Sequence, residues 1–486
     1  MITMIICIVL LMLGYVLYGK FTEKVYNPDP LRKTPAYTKF DGIDYLPMPT
    51  WKVYMIQFLN IAGTGPIFGA IIGAMFGPSS YLWIVLGCVF GGAVHDYLSG
   101  MVSVENGGIG LPDIVGKYLG KRTKNVMLAF SVLLLLMVGA VFVYSPAVIL
   151  GNLIKDGSVT VQMICVAVIL IYYVIATMVP IDKIIGRIYP VFAFALIFMA
   201  ISMLLCLLVK WPGGVPEIWD GMQNRAPQNG TLFPCLFISI ACGAISGFHA
   251  TQSPLMARCL KNEKMGRPVY YGAMITEGAI AVIWATVSGY FFFGGGNVEM
   301  GAEGVTAAPQ VVTIVSKHWL GTVGSVLALL GVVAAPITSG DTALRSARLI
   351  IADALKLDQQ GVRNRLLVSV PMFIVTGLIL WFNIADANGF DVIWRYFGWS
   401  NQTLSIFTFW ALTVYLAKYR KGLYYLMTLL PACFMTSVCT TFICTAKIGF
   451  NIPVSLTAYI GLASFFIPMV LFFVWLNKKR PSLSEQ

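Results

Sequence analysis

Charge is scarce in this chain, and what little there is lies unevenly. Asp, Glu, Lys and Arg together make up 11% of its 486 residues, against roughly 25% in a soluble domain. Histidine is scarcer still: three residues leave little material for a histidine-built catalytic or metal centre. No G-x-x-x-x-G-K-[ST] loop occurs, which excludes a P-loop nucleotide motor. The ten cysteines form no C-x-x-C pair and sit mostly in apolar stretches, so a zinc ribbon or a disulfide framework has no support. Low-complexity tracts are absent. The first apolar segment has neither a basic n-region nor a small-residue cleavage site, and reads as a span, not a signal peptide.

What remains is hydrophobic: 58% of residues, with a mean hydropathy of +0.80. This composition describes a polytopic helical membrane protein. Apolar runs mark about thirteen spans, roughly 2–19, 52–77, 80–100, 126–150, 159–180, 188–209, 231–256, 269–293, 320–340, 366–384, 398–416, 422–445 and 453–476. With the N-terminus outside and the C-terminus inside, the outer connections hold only Lys155, Lys210, Arg225, Lys317, Arg395 and Lys447. The other 27 of the 33 basic residues then face inward, the bias that positive-inside topology demands. The net charge of +12 is therefore a cytoplasmic rim beside the lipid bilayer and not a nucleic-acid surface.

Two of the spans are broken. Residues 60–77 are apolar and membrane-length but contain Gly63-Thr64-Gly65-Pro66, where Pro66 lacks an N–H and glycine eases non-helical dihedrals. Span seven carries Cys242-Gly-Ala-Ile-Ser246-Gly247-Phe248-His249-Ala250-Thr251-Gln252-Ser253-Pro254. Unpaired backbone at membrane depth persists only when buried in protein or lining a cavity, and in transporters such breaks hold substrate and coupling ions. The breaks lie five spans apart, so the two helices cross in opposite directions. This spacing predicts a 5+5 inverted repeat: 1–51 an accessory helix and cytoplasmic loop, 52–210 the first repeat, 211–417 the second, and 418–486 two accessory helices. Two unrelated Gly/Pro kinks packed on neighbours are the alternative.

These residues resemble a known group. Gly63-Thr-Gly-Pro-Ile-Phe-Gly69 is similar to the first broken helix of LeuT-type transporters of the amino acid–polyamine–organocation superfamily. More specifically, the chain resembles the carbon starvation protein A (CstA) family. The stretches that carry this are Ile61–Gly77, Gly91-Gly-Ala-Val-His95-Asp96-Tyr97, Asn106-Gly-Gly-Ile-Gly110, Gly247-Phe-His-Ala-Thr-Gln-Ser-Pro254, Ala335-Pro-Ile-Thr-Ser-Gly-Asp-Thr-Ala-Leu-Arg345 and Arg395-Tyr-Phe-Gly-Trp-Ser-Asn-Gln402. The resemblance spans roughly residues 25–415. It implies a LeuT-like all-α fold and uptake of peptides across a cytoplasmic membrane, with some members similar to pyruvate–proton symporters. The chain lacks the extra helices of larger members. It also has Ile56-Gln57 where many show a His-His pair, so coupling through that pair does not carry over.

Candidate substrate-binding residues flank the breaks: Gly63, Thr64, Gly65, Ser246, Gly247, Phe248, His249 and Gln252. A sodium ion wants about five or six oxygens. Ala335, Thr338 and Ser339 share one helical face at i, i+3, i+4 and resemble the LeuT-type ion site, with the Leu59 and Ala62 carbonyls opposite. Back-bonding of Thr338 and Ser339 to i−4 carbonyls is the competing reading. His95, Asp96 and Glu277 are intramembrane ionisable groups, each a candidate for proton coupling. His95, Asp96 and His249 are also a sparse donor set for a divalent metal, though without H-E-x-x-H spacing, and Asp96 has an alternative partner in Arg258. No cofactor is expected beyond the coupling ion, proton or sodium. Aromatics near the outer ends of spans ten and eleven (Trp381, Phe382, Trp394, Tyr396, Phe397, Trp399) read mainly as interfacial anchors, with Phe68 and Phe248 as gate candidates beside the breaks. A secondary transporter for a small peptide or carboxylate accounts for these features. A channel or an intramembrane enzyme would call for a filter or a catalytic constellation that the sequence does not display.

Overall fold

The computed structural model describes residues 1–155, 158–178, 185–227, 230–294, 307–359, 361–385 and 389–483. The end of the fifth expected span (179–180) and the connection after it lie outside them. Among the described residues the regular structure is helical, with one isolated bridge between Met48 and Leu260. The helices used below are α1 Ile2–Val16, α2 Thr50–Ile61, α3 Gly65–Ala74, α4 Ala93–Glu105, α5 Lys121–Lys155, α6 Val159–Met178, α7 Ile185–Lys210, α8 His249–Ala257, α9 Ala273–Phe293, α10 Ala307–Leu355, α11 Val362–Ala385, α12 Gly389–Tyr419, α13 Leu426–Thr445 and α14 Thr457–Leu483.

Nine helices among the described residues are long and apolar enough to cross a membrane, or ten if α2 and α3, bent by 45° at their junction, form one span. The sequence pattern had indicated thirteen. Of the three not in that class, 231–256 is interrupted by a long irregular stretch, and 320–340 and 398–416 lie within α10 and α12. Large apolar side chains on α6 (Val168, Ile171) and α14 (Val470, Leu471) are exposed, as lipid-facing side chains must be. α3, α4, α8 and most of α9, with the second half of α2 from Ile56, are instead buried. α10 packs on α5 and α7, and α3 on α9, which leaves both breaks at the centre of the bundle.

The first break is shorter than its sequence suggests. Only residues 62–64 are non-helical, and the chain re-enters a helix at Gly65 with Pro66 in its first turn. Proline fits there because the N–H it lacks has no intrahelical acceptor in any case. The second break, which the sequence pattern places at Ser246–Thr251, comes earlier: residues 240–248 are non-helical, whereas His249 and Thr251 belong to α8. Gly243 has φ 90°, a left-handed conformation that a side chain resists. A short π-helical turn, Gly87–Gly92, leads into α4, and another, Arg267–Gly272, leads into α9. Such turns often mark functional sites, and each delivers one buried carboxylate, Asp96 or Glu277.

Candidate functional site

The two breaks touch. A Cβ built on Gly65 would overlap the Cys242 side chain, and one on Gly69 would stand 2.9 Å from the Ser239 carbonyl oxygen. Small residues are thus what lets the two backbones approach. Between them lies a small cavity of about 20 Å³ lined by Gly65, Gly69, Ile238, Ser239, Ala241, Cys242, Trp394, Phe397 and Gly398. Asn401 of α12 stabilises the unwound stretch: its Oδ1 accepts from the Phe248 N–H at 2.7 Å and from Ser246 Oγ at 3.1 Å. A backbone donor freed by the break is satisfied in this way. Gln402 donates to the Phe237 carbonyl at 2.8 Å on the other side of the break. Neither amide was a candidate site residue, although both close the Arg395–Gln402 stretch that resembles the CstA family.

The ionisable candidates, scattered over 183 positions of sequence, form one chain of contacts. Asp96 stands between two imidazoles, with Oδ1 2.8 Å from His95 Nδ1 and Oδ2 2.9 Å from His249 Nδ1. On the far side of the His249 ring, Nε2 is 3.5 Å from Glu277 Oε2. All four side chains have no exposure at all. A buried acid ordinarily needs a partner, and here α4, α8 and α9 supply each other's. The hydrogen-bonded His95–Asp96–His249 part can pass a proton, since a ring that gains a proton at one nitrogen can release one from the other, while His249 and Glu277 make a close contact without a hydrogen bond. Asp96 does not pair with Arg258, whose Nε donates to the Gly108 carbonyl at 3.0 Å.

The sparse metal-donor set of the sequence, His95, Asp96 and His249, does come together. Asp96 spends both oxygens on His95 and His249, which makes a hydrogen-bonded chain. Cys242, His249 and Glu277 do bring a thiol, an imidazole and a carboxylate within 4.8 Å of one another. Of their atoms, the thiol donates to Ser246 Oγ at 3.5 Å and His249 Nδ1 bonds Asp96, whereas His249 Nε2 and both Glu277 oxygens have no hydrogen-bond partner among the described residues.

At the expected sodium site the two hydroxyls diverge. Ser339 Oγ donates to the Leu59 carbonyl at 2.9 Å across the first break. Thr338 Oγ1 turns back onto its own helix, to the carbonyls of Ala334 at 3.0 Å and Ala335 at 2.8 Å, the back-bonded alternative. Of the substrate candidates, Gly63 faces Phe142 and Ser339. Thr64 is buried with no partner for its hydroxyl, and Gln252 donates to Thr251 Oγ1 at 2.8 Å. Gln57 occupies the position of the family's His-His pair and approaches Ser253 Oγ at 3.5 Å.

The aromatics divide as their burial does. Trp381 and Phe382 are exposed, while Trp394 and Phe397 are buried. Phe68, Trp394, Phe397, Phe142 and Phe248 form a continuous run of ring contacts with centroids 5.5–6.5 Å apart. That run joins one break to the other.

Comparison with known proteins agrees with this architecture. The chain is 43% identical to an uncharacterized membrane protein of Haemophilus influenzae, over 59% of this chain and 90% of the relative. It is 26% identical to the peptide transporter CstA of Campylobacter jejuni, over 87% and 77%, and 27% identical to the pyruvate/proton symporter BtsT of Escherichia coli, over 55% and 46%. The crystal structure of a manganese transporter from Eremococcus coleocola has a similar fold, with a TM-score of 0.61 at 11% identity, over 91% of this chain and 99% of that one. The family model for carbon starvation protein CstA matches residues 1–166, 146–316 and 294–442. The chain belongs to the CstA carbon starvation family.

Proposed function

We propose that this protein is a secondary active transporter that takes up peptides across the cytoplasmic membrane, of use in carbon starvation, with a proton as the coupling ion. The observation that carries the proposal is the buried His95–Asp96–His249–Glu277 chain, which runs through His249, the first residue of α8 after the second break. Substrate and proton would thereby meet at one place, as coupling requires: a ligand shifts a conformational equilibrium only through differential interaction with its states. The π-turns before α4 and α9, in the third and eighth expected spans, support a LeuT-like inverted repeat, and the Lys and Arg distribution favours thirteen spans with the N-terminus outside and the C-terminus inside. Peptide uptake is favoured by the likeness to peptide transporters over most of the chain. No catalytic activity is assigned.

The second reading is symport of pyruvate or another small carboxylate, favoured by the likeness to a pyruvate/proton symporter and by the small cavity between the breaks. Sodium coupling would instead use Ser339 with the Leu59 and Ala62 carbonyls. Proteoliposomes loaded with purified protein separate these readings. Labelled dipeptides, tripeptides and pyruvate are offered under a pH gradient without sodium, then under a sodium gradient at equal pH. Dipeptide accumulation under the pH gradient alone is the expected result. Accumulation of pyruvate only would select the carboxylate reading, and uptake indifferent to both gradients would remove symport.

A further inference from the structure

Outside the broken segments the densest charge cluster lies at the end of the bundle that the basic-residue distribution places in the cytoplasm. Arg345 and Arg348 project from the last turns of α10, and Arg258 follows α8 directly. All three are buried, at 1%, 1% and 4% exposure. Guanidinium groups stay charged, and burying several of them together is costly without anionic partners. Facing them is a buried carboxylate, Asp44, contributed by the loop between α1 and α2; Arg345 also donates to the Ala176 carbonyl at 2.6 Å and has the buried Asp341 one turn earlier on α10. Asp44 Oδ1 is 3.3 Å from Arg345 Nη1, and Oδ2 is 3.7 Å from Arg348 Nη2. Asp353, on the far side of Arg258, is half exposed and 3.9 Å away.

These distances are long for charge-assisted pairs, which close to about 2.7–2.9 Å when the fork is filled well. Arg348 shows the mismatch directly: Nη1 donates to Gln359 Oε1 at 2.6 Å, while Nε and Nη2 are buried without a hydrogen-bond acceptor. Asp44, the acid that the loop brings to the three arginines, is thus loosely seated. Burial alone would raise the Asp44 pKa, but the guanidiniums of Arg345, Arg348 and Arg258 outweigh it and hold the carboxyl below its ordinary value. The acid arrives on a loop that lies across the mouth of the bundle. Its Met48 N–H donates to the Cys259 carbonyl at 3.1 Å, and Thr34 donates to the Leu260 carbonyl. Asp44 itself is hung in an Asp41-capped turn, in which Asp41 Oδ1 accepts from the N–H groups of 43, 44 and 45.

We propose that Arg258, Arg345 and Arg348 form a carboxylate-binding site at the inner mouth, that Asp44 is its tethered occupant in this closed state, and that the carboxylate of the transported solute displaces it on the way out. The loop then acts as a plug whose acid imitates the cargo. This rests on the transport reading above and narrows its substrate class to solutes with a free carboxylate, such as a peptide C-terminus or pyruvate.

The test uses the full-length protein in detergent and three probes: a dipeptide, the same dipeptide with its C-terminus amidated, and pyruvate. Asp44→Asn should tighten binding of the dipeptide or pyruvate by about tenfold or more, read by calorimetry, and leave the amidated dipeptide unchanged. Adding Arg348→Gln to Asp44→Asn should abolish the gain. A dipeptide response marks a peptide C-terminus as the ligand and a response to pyruvate alone marks a small free carboxylate; both support the site. Equal tightening for the amidated probe, or no tightening for any probe, overturns it. If Asp44→Asn is not recovered folded, Asp44→Ala with millimolar acetate replaces it: acetate should raise the melting temperature of the variant and not that of the wild type, and an equal rise in both overturns the proposal. Wild-type uptake is measured alongside, so failure of the carboxylate site with intact peptide uptake is distinguishable from failure of the transport reading.

Discussion

Replacing Asp96 with asparagine interrupts the ionisable chain at its centre with almost no change of shape. The carboxylate faces two imidazole nitrogens at 2.8 and 2.9 Å. An asparagine offers one carbonyl and one amide, so only one ring keeps an acceptor and the other meets a donor. One charge-assisted bond, worth about 1.5–3 kcal/mol, is lost in a fully buried setting. If that bond differs between the protonated and deprotonated states of the chain, coupling falls by about ten- to a hundredfold. The assay compares two modes in the same proteoliposomes. Accumulation driven by a pH gradient should fall at least tenfold, while counterflow, which needs no net proton movement, should persist. Asp96→Glu should recover part of the accumulation. Equal loss of both modes, in a variant that melts well below the wild type, would show that Asp96 only supports the fold. Wild-type accumulation in the variant would refute the relay itself.

Ser339→Ala and Thr338→Ala separate the two coupling ions: with proton coupling both keep sodium-free uptake, whereas a sodium dependence appearing in the wild type and weakened tenfold in Ser339→Ala alone would move the site to Leu59 and Ser339. Gly247→Ala should cost several kcal/mol of stability, read as loss of monodisperse protein in size-exclusion chromatography, because its Cβ would run into the backbone of Asn401 and Ser405 and stand 2.6 Å from Leu404 Cβ. Asp44 gives a pH signature: its folded pKa is depressed, so its contribution is present above the unfolded value of about 4 and is lost as pH falls below it. Melting temperature should therefore drop more steeply on acidification in the wild type than in Asp44→Asn, and parallel curves would contradict this.

Much of the site was legible because a membrane makes polar residues conspicuous. His95, Asp96, His249 and Glu277 stood out singly as ionisable groups in apolar spans, and each is fully buried. Their assembly into one chain was not legible, since it depends on which faces of α4, α8 and α9 meet. The break at Gly63-Thr64-Gly65-Pro66 was visible from Gly and Pro, but its end was misplaced: proline reads as a breaker from sequence and serves here in a first helical turn. The second break was placed too late for a related reason. Its irregular stretch starts at Ile240 among apolar residues, where Asn401 and Gln402 of a distant helix supply the hydrogen bonds. Long-range partners of that kind leave no local mark. The Asp44–arginine cluster was hidden as well, because its arginines counted only toward topology and its acid lies in a loop.

The most direct measurement of proton coupling follows protons, not solute. Wild-type protein is reconstituted in sodium-free vesicles that enclose a pH-sensitive dye, with no initial pH gradient, and dipeptide is added outside. The expected result is acidification of the lumen that tracks dipeptide entry and is absent with Glu277→Gln. Dipeptide entry at an unchanged lumenal pH would contradict it.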